Sequence, residues 1–290
     1  MKSKDSKLGY LLFAPTIFVV FVIIGIPFVY AVFLSFTDKI VGCAPHFIGL
    51  KNYINIFKDS DYWRILTNTF IYFIAAVAFK YFFGMIYALV LNEKFYGRTV
   101  AIICLLIPWT IPSMVAANTW KWMFNDSYGI INSILERIHL IHSAIPWLSD
   151  TRIVLFSVIV VNIWRGVPFF IFSLMGGLQT IDKQLYEAAE MDGANWIQKF
   201  GYITMPSVSA VSAITILLSS IWTFNDFDNV YLVTGGGPVH SSAIISIYTY
   251  EKAFTDNLMG ISLSAATSVI PIILLMIFFA MKNFASDSTN

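Results

Sequence analysis

A helix needs about 20 consecutive apolar residues to cross a hydrocarbon core. Six stretches of this 290-residue chain reach that length, approximately 10–36, 68–91, 99–123, 152–178, 205–224 and 260–281. Nothing else in the sequence restricts the fold as strongly. Lipid offers no partner to a bare N–H or C=O, so each spanning backbone must satisfy its own groups. The expected class is all-α, a polytopic membrane protein of about six transmembrane helices. Composition agrees: only 12% of residues are charged, against about 25% in soluble chains. The run 10–36 follows Lys2, Lys4 and Lys7. It exceeds the ~7–15 residues of a signal-peptide core and meets no small-residue cleavage site, so it reads as a retained first span. Pro15, Pro27, Pro108, Pro112, Pro168 and Pro271 fall inside the runs. The pair Pro108 and Pro112 predicts a kink or interruption in the third. The whole chain, 1–290, reads as one membrane domain, with a core over about 68–281, a first span at 10–36 and a polar loop at 179–204.

Lys and Arg set orientation. The connections 92–98 and 179–204 carry Lys94, Arg98, Lys183 and Lys199, and the termini add Lys2, Lys4, Lys7 and Lys282. Their density predicts both termini in the cytoplasm, with 37–68, 124–151 and 225–259 outside. Trp63, Trp120, Trp122 and Trp147 near span ends suit headgroup anchoring, or docking of a partner. A net charge of +1 gives no field for nucleic acid. Cys43 and Cys104 have neither redox nor zinc spacing. All four histidines lie in outer loops, so no metal site is expected. No G-x-x-x-x-G-K-[ST] occurs, and Gly235-Gly236-Gly237-Pro238 lacks the lysine that a phosphate cradle needs, so it reads as a tight turn. The chain has no means of its own to use ATP.

The loop 179–204 is longer than a connection requires. Asp182 is placed to cap a helix that runs through Tyr186-Glu187-Ala188-Ala189-Glu190-Met191. Glu187, Glu190 and Asp192 are expected near that helix's start, where the macrodipole favours acids. Gly193 permits a turn, and a second piece leads through Trp196 and Phe200 to Met205-Pro206. Small residues on an exposed helix suit docking into a groove; an amphipathic loop lying on lipid is the alternative.

The order Glu187-Ala188-Ala189, three residues, Gly193, nine residues, then Ile203-x-Met205-Pro206 resembles the EAA-loop pattern of binding-protein-dependent ABC permeases, with Met205 where leucine is usual. Further runs are similar to the sugar-importer branch of that family, of the larger maltose-permease type. They are Ala14-Pro15, Leu34-Ser35-Phe36-Thr37, Phe47 to Tyr53, Pro108-Trp109, Trp164 to Phe169 and Tyr231 to Pro238. The resemblance implies a type I importer permease fold in a bacterial or archaeal cytoplasmic (inner) membrane. It makes Glu187, Ala188, Ala189, Asp192 and Gly193 the coupling helix, gripped by an ATPase. It also implies two ATPase subunits holding ATP and Mg, no cofactor on this chain, a second related permease and an extracytoplasmic solute-binding protein.

Polar groups within a membrane face a cavity or each other. Asn162, Arg165, Gly166 and Phe169 share one helical face by their spacing, and Ser219, Trp222, Thr223 and Asp226 share another. Hydroxyl and amide groups beside aromatic rings suit a sugar. The resemblance places these positions along the substrate pathway; polar packing with Arg165 paired to Asp226 is the bland alternative. One Arg165 near Asp226 fits a neutral sugar better than glycerol 3-phosphate, the second substrate considered. Lys80, mid-span, is assigned no function. An ion-coupled secondary transporter would leave the loop unexplained, and an intramembrane enzyme would need acid–base clusters the chain lacks.

Overall fold

The computed structural model describes residues 13–275 together with 277 and 278. The expected start of the first span, Lys2, Lys4, Lys7 and Lys282, and the expected end of the sixth span at 281 lie outside the described residues. Among these residues the chain is helical, and one antiparallel bridge, Thr37 to Phe47, is its β-pairing.

Among the described residues three helices are long and apolar enough to cross a membrane: α1 (Phe13–Ser35), α3 (Ser60–Asn92) and α7 (Val154–Leu178), with α2 (Lys51–Lys58) between the first two and the short α6 (Ile130–Arg137) ahead of the third. The third and fifth runs are bent pairs. Helix α4 (Arg98–Thr110) meets α5 (Ser113–Met123) at 98°, and α9 (Trp196–Ser207) meets α10 (Ser209–Phe224) at 66°. The first break follows from Pro112. Ile111, the residue before it, is driven out of the α region to φ −74°, ψ 132°. The second corrects the expected span 205–224, whose straight part begins only at Ser209. Pro206 cannot donate to the preceding turn, and a wide π turn at Phe200–Thr204 precedes it. The last apolar helix, Met259–Leu275, is short of a full span within the described residues.

The chain divides into two compact units. The smaller comprises the chain up to Tyr62 and Tyr248–Ile270. Here Asn52 on α2 donates to the carbonyls of Ser35 and Thr37, closing the end of α1. Tyr53 binds the hydroxyls of Ser35 and Thr267. These ties account for the Phe47–Tyr53 run as structural.

The larger unit comprises Trp63–Ile247 and the chain from Pro271. Its centre is the pairing of α3 with α7. Val77, Met85 and Ala88 pack against Phe170, Leu174 and Leu178, with Val208 beside them. Lipid supplies no hydrophobic drive between helices, so close contact must hold such pairs, and small residues permit it. A Cβ at Gly84 would strike Phe170, and one at Gly166 would strike the Lys80 side chain. Positions 80 and 84 advance with 166 and 170, so α3 and α7 run in the same direction at this contact. On the other flank α4 packs on α7 through Ala101, Ile102 and Leu105.

Candidate functional site

Within the larger unit a cavity of about 230 Å³ is lined by Lys80, Trp109, Asn162, Arg165, Gly166, Phe169, Ser219, Trp222, Thr223, Asp226 and Asn229. It contains all eight residues singled out on the fourth and fifth runs. Helix α7 supplies Asn162, Arg165, Gly166 and Phe169; α10 supplies Ser219, Trp222 and Thr223. Asp226 is a correction. It does not continue the α10 face, because that helix ends at Phe224. Instead it caps α11 (Phe227–Thr234), accepting the Asn229 N–H at 3.3 Å. The turn between the helices swings it back over the same cavity. Asn225 closes α10 by donating to Ile221 O at 3.0 Å.

The polar groups form two bonded sets. In the first, Asp226 Oδ2 accepts from the Tyr72 hydroxyl at 2.6 Å and from Asn162 Nδ2 at 2.5 Å. Asn229 Nδ2 donates to the Tyr72 oxygen at 2.9 Å and to Val158 O at 3.3 Å. In the second, Lys80 Nζ donates to Thr223 Oγ1 at 2.8 Å and Ser219 Oγ at 3.3 Å. Arg165 is in no ion pair among the described residues, so the alternative in which it pairs with Asp226 does not form; tyrosine and amide donors occupy the carboxylate instead. Rings complete the wall: Phe169 lies 5.0 Å from Trp222 and 6.1 Å from Trp109 between centroids.

Sequence reasoning missed Tyr72, Trp109 and Asn229, and left Lys80 without a role. The signal for Lys80 was present, since a charge amid an apolar run must find partners. Tyr72 sits two helical turns before it, on the same face of α3. Nothing local marked Asn229, whose partners lie 71 and 157 residues away in the chain.

The loop forms two helical pieces. Helix α8 (Lys183–Met191) starts at Asp182, whose carboxylate accepts the Gln184 N–H at 2.9 Å. It ends in a Schellman turn, with Ala194 N bonded to Ala189 O and Gly193 N to Glu190 O. Gly193 sits at φ +78° with open space where a Cβ would project, so the backbone conformation alone requires glycine. No acid stands in the first turn: Glu187 is at the middle of the helix, and Glu190 and Asp192 are at its end, where the macrodipole opposes them. Lys199 on α9 offsets this by pairing with Glu190 at 2.5 Å. Asn195 and Gln198 form a capping box at the start of α9. Glu187, Ala188, Asp192 and Gly193 are exposed and Ala189 is half-buried. Leu185, Met191, Trp196, Ile197 and Tyr202 lie exposed around them, Met191 at 88%. A second cavity of about 770 Å³ separates this loop from the turn carrying Glu93, Lys94 and Arg98.

The family model for the inner membrane component of binding-protein-dependent transport systems matches residues 80–284, a stretch that holds both the cavity and the loop. The chain belongs to this family. It is 32% identical over 289 residues to the trehalose/maltose transport system permease protein MalF of Thermococcus litoralis, covering 99% of this chain and 97% of that one. It is 33% identical to the inner membrane ABC transporter permease protein YcjO of Escherichia coli, covering 96% and 92%. The fold is that of a chain in a bacterial ABC transporter involved in import of the acidic polysaccharide alginate, with TM-score 0.82, 22% identity and 96% of each chain covered. This permease is thus an all-α membrane component of the type I importer fold.

Proposed function

We propose that this permease carries a carbohydrate, a disaccharide or oligosaccharide, across the cytoplasmic membrane, with both termini inside. The observation that carries the reading is the cavity. Three aromatic rings and a set of hydroxyl and amide groups converge on one space, which matches the apolar faces and hydroxyls of a sugar ring. The relative named for trehalose and maltose transport supports the same class.

The drive comes from elsewhere. Two ATPase subunits hold ATP and Mg, and α8 with its exposed apolar fringe seats in a groove on one of them. Glu187, Ala188 and Ala189 face that groove, and the turn at Asp192 and Gly193 fixes the angle to α9. Closure of the ATPases moves α8, and the bend between α9 and α10 passes the movement to the cavity wall. A second related permease covers the open side of the cavity, and an extracytoplasmic solute-binding protein delivers the sugar. A solved alginate ABC transporter of this fold was captured with its periplasmic protein bound to an alginate pentasaccharide.

Trp222→Ala and Asn162→Ala test the cavity. Each is expected to lower uptake at least about tenfold, the effect of one good contact, while complex assembly and stimulated ATPase persist. Unchanged uptake kinetics in both variants would overturn the assignment.

A further inference from the structure

The donors in the cavity outnumber its acceptors, and one buried residue sets that balance. An ammonium only donates. Lys80 therefore occupies a lone pair on Ser219 Oγ and one on Thr223 Oγ1. Neighbouring hydroxyls on α10 spend their protons on the helix: Thr215 donates to Val211 O and Ser220 to Ile216 O, each at 2.7 Å. Ser219 and Thr223 donate to nothing among the described residues, so both hydrogens are free to point at an occupant. Lys80 is 3% exposed, and its stem crosses α7 where Gly166 leaves room, so its ammonium is held at the cavity wall. Arg165 adds a guanidinium without an ion-pair partner. The sole carboxylate of the lining, Asp226, is already engaged by Tyr72, Asn162 and Asn229. Two cations against one carboxylate leave the lining one positive charge in excess.

Resting on the carbohydrate reading, the geometry points to Lys80 as the residue that sets charge specificity, and to an acidic carbohydrate, a sugar bearing a carboxylate, as the preferred solute. An anion in a low-dielectric site binds charged donors through short, strong bonds. It would accept from Arg165, the Ser219 and Thr223 hydroxyls and the remaining Lys80 N–H. A neutral sugar offers no charge to match the excess. The expectation of a neutral solute counted Arg165 against Asp226 alone; Lys80 turns that balanced site net positive.

The test uses the permease purified with the subunits that assemble on it. Trp109 and Trp222 line the cavity and report occupancy by fluorescence. Digalacturonate, maltose and glycerol 3-phosphate are titrated onto the wild type and Lys80→Gln, which keeps donors but loses the charge. Digalacturonate is expected to bind about tenfold or more tightly than maltose, and Lys80→Gln to remove about tenfold of that preference, as for one charge-assisted bond. Maltose affinity should fall by a clearly smaller factor than that of digalacturonate, because a neutral donor at position 80 still serves Ser219 and Thr223. Equal binding of the two sugars, equal loss of both in Lys80→Gln, or tighter binding of glycerol 3-phosphate overturns the proposal. Maltose binding alone would leave the carbohydrate reading intact; binding of neither sugar overturns both.

Discussion

The cavity and the loop place opposite kinds of groups where solvent rules say they do not belong. Around the cavity, polar side chains are buried: Lys80, Ser219, Thr223 and Asn229 are each under 5% exposed. On the loop, apolar side chains are bare, with Trp196 and Ile197 more than 60% exposed. The buried set is tied together by bonds between α3, α7, α10 and α11, with Asn162 Oδ1 beside it left unpaired. Among the described residues, nothing covers the exposed set beyond the stacking of Trp196 on Phe200. One region is therefore held together by its own bonds, and the other offers apolar surface to a partner. Substitutions in the first should cost stability; substitutions in the second should cost coupling.

The largest effect should come from Asp226→Leu. It strips the acceptor from Tyr72 and Asn162 and the cap from α11. Stranding even two such buried donors costs on the order of 3 kcal/mol, so the purified complex should melt several degrees lower and transport should be lost. An unchanged melting point would mean the cavity set does not hold these helices together. Next comes Gly166→Leu, which drives a side chain into the space of the Lys80 stem. Overpacking of this kind costs roughly 1–3 kcal/mol. Melting should fall, and a smaller residue at 80, as in Lys80→Ala, should restore part of the loss in the double variant.

The loop should respond differently. Gly193→Val places a branched residue at φ +78°, a left-handed conformation that costs roughly 1–2 kcal/mol for a non-glycine residue. Global melting should hardly change, because the turn is exposed. Transport per ATP hydrolysed should fall several-fold, measured as uptake against phosphate release. A fall in melting without a change in that ratio would erase the distinction between the regions. The smallest effect belongs to Glu190→Gln, which breaks an ion pair whose carboxylate side chain is 61% exposed. Exposed pairs contribute at most about 1 kcal/mol, so only a slight loss of coupling is expected.

The sequence carried the loop well because its signals are local. Asp182 and Gly193 each act on backbone groups within a few residues, and spacing alone reveals them; the Asn195 cap of α9, equally local, was passed over. It erred on Glu190 and Asp192 because the end of α8 is set by the Gly193 turn, which moves both acids to the wrong pole of the helix. The two helical faces were also legible, since periodicity is a local property. What was hidden is the pairing between faces. The bonds of Lys80 to α10 span 139 and 143 residues, and that of Tyr72 to Asp226 spans 154. No window of sequence contains them. Helix length misled in the fifth run, because Pro206 bends the helix without altering its apolar content; the break in the third was legible in Pro108 and Pro112.

The most direct test of a cavity moved by a foreign motor is solute accumulation in proteoliposomes. The permease is reconstituted alone, with its permease partner, and with the ATPase subunits, binding protein and ATP. Accumulation against a gradient is expected only in the full assembly, and should vanish when ATP is replaced by a non-hydrolysable analogue. Accumulation by the permease alone, without nucleotide, would contradict the account.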